Sequence, residues 1–204
     1  NDINQKGGSA LAVECDVKNI ESINNSIKIS LSKFNSLNIL VNNAQEVPLG
    51  NILDVTDESF IDGWNSGPLA TFRFMKACYP HLKGGGKIIN LASSSALRPD
   101  SGSYGAYAAV KESIRSLSRA AAVEWGPDNI LVNCIMPLAK STGMDWWMNE
   151  YPDEANEFLK TIPLGRVGDC KDDIGEAVCH ILSDGMNYIT GSTIMLDGGQ
   201  AFLR

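Results

Sequence analysis

Two hydrophobic periods alternate along this chain, and that alternation limits its fold more than any other feature. Short, nearly continuous apolar runs rich in β-branched residues occupy residues 10–15, 37–41, 87–91, 130–135 and 193–196. Each stops near a polar or small-residue turn, as parallel strands buried on both faces do. Between them, residues 20–34, 57–82, 105–125 and 172–182 carry apolar positions at helical spacing. In residues 105–125, Tyr107, Val110, Ile114, Leu117 and Ala121 recur at intervals of three or four and draw one apolar stripe, which Pro127 ends. The alternation predicts an α/β fold, a doubly wound parallel sheet, as a single domain over residues 1–204.

Composition narrows the function. A hydrophobic content of 44% supports a buried core, and 24 acidic against 17 basic residues disfavour phosphate backbones and anionic membrane surfaces. No nucleic-acid or membrane partner is expected, since no apolar stretch approaches the ~20 residues that span a bilayer. Cys15, Cys78, Cys134, Cys170 and Cys179 are odd in number and form no Cys-x-x-Cys pair. They read as free thiols of a reducing, cytoplasmic compartment. His81 and His180 have no neighbours at ligand spacing, so no metal is expected.

Chemistry concentrates at Tyr107-Ala-Ala-Val-Lys111. Residues four apart stand above one another on a helix, so the phenol and the amine project the same way. A free phenol, with a pKa near ~10, is a poor acid or base at neutral pH. An ammonium one turn away favours the phenolate and is expected to lower that pKa. Residues 87–91 run into Ala92-Ser93-Ser94-Ser95, and Tyr107 follows Ser93 by 14 residues. A hydroxyl at the carboxyl edge of a parallel sheet can meet that tyrosine and hold a substrate oxygen. A second match, Tyr79 and Lys83, lies beside Pro80 and the Gly84-Gly85-Gly86 run where a helix ends, and reads as a pair of surface residues.

In these residues the chain resembles the short-chain dehydrogenase/reductase superfamily along its whole length. The resemblance also rests on Asp16-Val17, Asn42-Asn43-Ala44, Asn133-Cys-Ile-Met-Pro137, and Tyr188-Ile-Thr-Gly191 followed by Asp197-Gly-Gly199, in the family's order and near its spacing. It implies a Rossmann-like, NAD- or NADP-dependent oxidoreductase interconverting a secondary alcohol and a ketone. Tyr107 would be the acid/base, Ser93 would orient the substrate oxygen, and Lys111 would tune Tyr107 and hold the nicotinamide ribose. Asp16 and Val17 would contact adenine, Asn43 and Ala44 would line the cofactor, and residues 137–142, including Pro137, Lys140 and Thr142, would hold the carboxamide. The resemblance further implies a homotetramer, with residues 66–82 and 105–125 at a dimer interface.

Three positions depart from the family pattern. Gln45 stands where Asn-Asn-Ala is usually followed by glycine, and Leu138 where Pro137 is usually followed by glycine. Gly67 falls where the family carries an asparagine, and Asn65 lies two residues earlier, on another helix face. The departures admit a divergent oxidoreductase or a member without redox activity. The latter would be a lyase like the halohydrin dehalogenases, or a non-catalytic binding subunit. Lys111, where those dehalogenases carry arginine, favours the oxidoreductase.

Two further expectations concern organisation. The family's strand, Gly-rich turn and helix that cradle a pyrophosphate are absent, since Gly7-Gly8 and Gly84-Gly85-Gly86 lack the spacing. About 45 N-terminal residues are therefore expected to be missing, on the usual size of such domains. In strand order 3-2-1-4-5-6, residues 10–15 would be the third strand and 37–41 the fourth, and the two would not be neighbours. Residues 139–166 hold Met144, Trp146, Trp147, Met148, Tyr151 and Phe158, and are expected to fold over an apolar or ring-bearing substrate.

Overall fold

The computed structural model describes residues 2–97 and 103–202. Four parallel strands form the sheet in the order β1-β2-β3-β4: β1 (Ile39–Asn42), β2 (Lys87–Leu91), β3 (Leu131–Pro137) and β4 (Thr193–Leu196). All three ladders are parallel, with Ile88 opposite Val132 and Ile135 opposite Ile194. A parallel connection needs a crossover, and helices supply it. The α-helices among the described residues are α1 (Asp2–Gln5) and α2 (Ile20–Phe34), before β1, then α3 (Asp57–Trp64), α4 (Ala70–Leu82), α5 (Gly105–Trp125), α6 (Thr142–Glu150), α7 (Pro152–Lys160) and α8 (Glu176–Ile181).

Alternation along the strands divides the core between two faces. Ile88 and Val132 pack with Ile23 and Ile27 of α2, Met75 and Leu82 of α4 and Ala121 of α5. Ile89 and Ile135 point the other way, onto Ile181 of α8. Near the carboxyl edge, Ala92, Cys134 and Met136 close over Ile114 of α5. A polar row crosses the first face. The Asn42 amide donates to Asn90 Oδ1 (2.7 Å), and the Asn90 amide donates to Ser118 Oγ (2.8 Å), so a fully buried asparagine is paired at both ends.

The structure corrects the expected elements in three places. Residues 10–15 form no ladder; the Ala10 N–H donates instead to Asn4 Oδ1 at 2.7 Å. A strand needs a hydrogen-bonded neighbour, and among the described residues none lies beside this run. The outer edge of β1 is likewise unpaired among the described residues, with Ile39 and Val41 almost half exposed. The helix expected over 57–82 is broken by a π turn at Asn65–Leu69, which contains Pro68. Proline removes a helical donor and crowds the preceding turn, so the regular ladder cannot run through it. The helix expected over 172–182 begins as another π turn, Cys170–Gly175, capped by the Asp169 carboxylate.

Motifs that the sequence offered for function serve the fold as well. The Asn133 amide donates to the Ile189 carbonyl and accepts from the Ser192 N–H, tying β3 to the Tyr188-Ile-Thr-Gly191 turn. Asp197 is buried and accepts from the Gly199 and Ala201 N–H groups. The Tyr79 hydroxyl donates to the Asp128 carboxylate, which also pairs with Lys83 at 3.2 Å, so the second tyrosine–lysine pair latches α4 to the turn before β3.

Ile88 has no exposed surface, whereas Val123 on α5 is 79% exposed. Ile88→Ala is expected to cost ~2–5 kcal/mol in urea unfolding through lost burial and a residual cavity, and Val123→Ala less than ~0.5 kcal/mol.

Candidate active site

The carboxyl ends of β1, β2 and β3 are neighbours, so the segments that leave them share one edge of the sheet. Asn43 and Ala44 follow β1 and are exposed. Ser93 follows β2, where the Ala92 N–H still donates to the Ile135 carbonyl; Ser93 then caps a single 3-10 turn, Ser94–Ala96, its Oγ accepting from the Ser95 N–H. Pro137 closes β3.

Helix α5 brings the other two groups to this edge. Tyr107 stands in its first turn and Lys111 one turn on, while Val110 and Ile114 anchor the helix in the core. Ser93 lies close enough to the Tyr107 phenol to pull its pKa down. The Lys111 amine lies 5.7 Å from the centre of the Tyr107 ring and donates to the Leu91 carbonyl at 2.7 Å. Ser93, Tyr107 and Lys111 therefore converge. Lys111 is only 4% exposed, a costly place for a charge.

Electrostatics depart from the sequence expectation. Burial pushes the Tyr107 phenol above its ordinary value, and the Ser93 hydrogen bond only partly offsets this. The expected lowering by Lys111 does not appear in this geometry. Loss of water penalises the phenolate, and the amine spends a donor on Leu91 while its own charged form is disfavoured. Burial brings the Lys111 pKa down to about 8, against a smaller upward pull from the neighbouring Cys134 thiol.

The remaining sequence candidates sit on other segments. Asp16 and Val17 occupy the turn before α2, where the Asp16 carboxylate accepts from the Lys18 N–H. Lys140 and Thr142 are exposed, and the Lys140 N–H donates to the Gly168 carbonyl. Leu138 turns towards a cleft of about 480 Å³ that Leu164, Ile174 and Phe202 also line. The segment 139–166 carries α6 and α7, which pack on each other through Trp147 and Phe158 (ring centres 5.6 Å apart), whereas Trp146 is 60% exposed.

Sequence reasoning missed two things. The Leu91 carbonyl as the seat of Lys111 has no sequence signature, because any residue has a carbonyl. The Gln45 side chain lies against Gly67, so two of the departures are in direct contact. A long polar residue replacing glycine and a glycine replacing a side chain were the available signal.

The residues present fit a dinucleotide in one testable respect. An ammonium has three donors, and among the described residues the Leu91 carbonyl takes one, leaving others for the hydroxyls of a ribose. A parallel α/β sheet with a hydroxyl, a phenol and a buried amine at its carboxyl edge has the architecture of a nicotinamide-dependent oxidoreductase.

Comparison with known proteins agrees. A family described as "Enoyl-(Acyl carrier protein) reductase" matches residues 1–201. A 12alpha-hydroxysteroid dehydrogenase of a Clostridium species is 38% identical over 181 residues, 88% of this chain and 70% of that protein. The 3-oxoacyl-[acyl-carrier-protein] reductase of Chlamydia trachomatis is 34% identical over 188 residues, 91% of this chain and 74% of that one. Among solved structures, the 3-ketoacyl-(acyl-carrier-protein) reductase of Brucella melitensis complexed with NADH superposes with a TM-score of 0.86 at 27% identity, covering 98% of this chain and 81% of that one. The chain belongs to the short-chain dehydrogenase/reductase superfamily. It is an NAD(P)-dependent oxidoreductase of alcohol and ketone groups.

Lys111 links the site to stability. Its folded value of about 8 lies below the ordinary 10.5, so between the two the unfolded chain holds a proton that the folded chain sheds. Stability therefore rises with pH across that window, and the burial cost, ~3 kcal/mol, is fully present below it. Lys111→Met is expected to gain stability relative to wild type at pH 7 and to lose that advantage between pH 8 and 10.5. A difference in urea midpoint that stays constant with pH would contradict the shift.

Proposed function

We propose that Tyr107 passes the hydroxyl proton, that Ser93 holds the substrate oxygen, and that Lys111 holds the nicotinamide ribose. The convergence of these three side chains on one sheet edge carries the reading. In alcohol oxidation, the deprotonated Tyr107 oxygen takes the hydroxyl proton while the C–H bond breaks. A nicotinamide held there would supply or accept the hydride. In ketone reduction the same phenol returns the proton, and a phenol held protonated by burial suits that direction. Ser93 adds a hydrogen bond at the oxygen where negative charge develops.

The rest of the binding surface follows from the same edge. Asp16 and Val17 take the adenine; Asn43 and Ala44 line the dinucleotide; Pro137, Lys140 and Thr142 receive the carboxamide. Either NAD or NADP is accommodated by this reading. The exposed Trp146 and Tyr151, with rings 6.2 Å apart, face an apolar or ring-bearing alcohol or ketone. The likeness to a hydroxysteroid dehydrogenase supports that class. Residues 1–204 act as one domain, with 139–166 as a lid, in a cytoplasmic homotetramer paired through α4 and α5. Ala109, Ala120 and Val123 are exposed on α5, whereas Ala106, Ala121 and Ala122 are spent on the chain's own core. Among the described residues no helix is long and apolar enough to cross a membrane.

Tyr107→Phe is expected to lower kcat by ~10²–10⁴-fold while leaving NAD(P)H binding, read by nicotinamide fluorescence, in place. A variant that keeps wild-type turnover, or a wild-type protein that binds neither dinucleotide, overturns the proposal. For the lid, Trp146→Ala is expected to change the kcat/KM ratio between a cyclic and a linear alcohol with little change in Tm. Trp147→Ala, which removes the packing on Phe158, is expected to lower Tm instead.

A further inference from the structure

Gln45 and Gly67 form one device. The π turn Asn65–Leu69, which contains Pro68, follows directly on α3. The Gln45 side chain ties the loop after β1 to this join: its Nε2 donates to the Gly63 carbonyl at 2.9 Å, which Ser66 Oγ also approaches at 3.4 Å, and to the Glu46 carbonyl at 2.8 Å. It reaches them through a notch that only glycine leaves open. A Cβ on Gly67 would lie 2.4 Å from Gln45 Oε1 and 2.7 Å from Nε2. Oε1 is buried without a donor, so the amide is held by its N–H side and by its fit against Gly67. Next to it, the Glu46 N–H donates to Ser66 Oγ, so the loop after β1 is stitched to the turn twice. Ser66, Gly67 and Pro68 are buried, and the turn packs against α5, the helix of Tyr107 and Lys111.

We propose that Gln45 is a positioning residue for the Tyr107–Lys111 pair, because its amide, seated in the Gly67 notch, ties the loop after β1 to the broken helix and locks that helix against α5. This rests on the reading of Tyr107 as the proton-transfer group. Gln45 itself touches neither Tyr107 nor Lys111; it acts by fixing the surface on which α5 lies. Sub-ångström displacement of a proton donor is costly to turnover.

The test is a mutant cycle on the full-length enzyme at saturating dinucleotide. Gln45→Met keeps the volume and loses the donor; it is expected to remain folded by thermal melt and to lower kcat ~10-fold. Gly67→Ala evicts the amide and is expected to give the same loss. In a Gln45→Gly background, which empties the notch, Gly67→Ala is expected to cost nothing further. That non-additivity is the readout that a general weakening of the fold does not produce. Gln45→Met with wild-type kcat, or losses that multiply in the double variant, overturns the proposal. Tyr107→Phe run alongside separates the two readings. If it retains turnover, the assignment of Tyr107 fails; if it is inactive while Gln45→Met is not, only the role of Gln45 fails.

Discussion

The carboxyl end of β2 is the constraint on which the site depends. Ala92 remains tied to β3 through the Ile135 carbonyl, which holds the strand's last residues rigid. Leu91 then presents a carbonyl to Lys111, and Ser93, two residues on, presents its hydroxyl to Tyr107. One short piece of backbone thus fixes all three groups. It can do so because β2 is a central strand, flanked by β1 and β3 and buried along nearly its whole length. An edge strand, free to shift its register, would give no such precision.

Burial gives the site its electrostatic character. The amine and the phenol are both taken out of water, and each is pushed towards its neutral form: Lys111 downward, Tyr107 upward. A reading built on charge alone has the ammonium acidify the phenol. In the folded chain desolvation outweighs it, since the penalty acts on each group by itself whereas the attraction needs both to be charged at once. The same logic explains why the Lys83 amine, half exposed beside Tyr79 and Asp128, rises above its ordinary value. Similar spacing in the sequence gives opposite behaviour because one pair is buried and the other is wet.

Much of this was legible in the residues. Periodicity located all four strands within two residues and the whole of α2 and α5, because local hydrophobic pattern and tertiary burial agree there. Ser93, Tyr107 and Lys111 could be proposed as a site from the residues because helix pitch and the strand-to-loop boundary are local properties. The strand read over residues 10–15 did not form, since a strand needs a hydrogen-bonded neighbour that no local pattern supplies. Not legible either were the two helix breaks, where one proline, or a cap at Asp169, overrides an unbroken apolar stripe.

By itself the sequence determined the parallel α/β architecture, the helix that carries phenol and amine on one side, and the chemistry those groups can perform. Side-chain spacing sets such things wherever the chain folds. Tertiary structure alone decided which carbonyl seats Lys111, which way burial moves each proton, and that Gln45 occupies the space Gly67 leaves. Lys111 meets Leu91 across twenty positions and Gln45 meets Gly67 across twenty-two, and such meetings are fixed by how the layers stack and not by any run of neighbours.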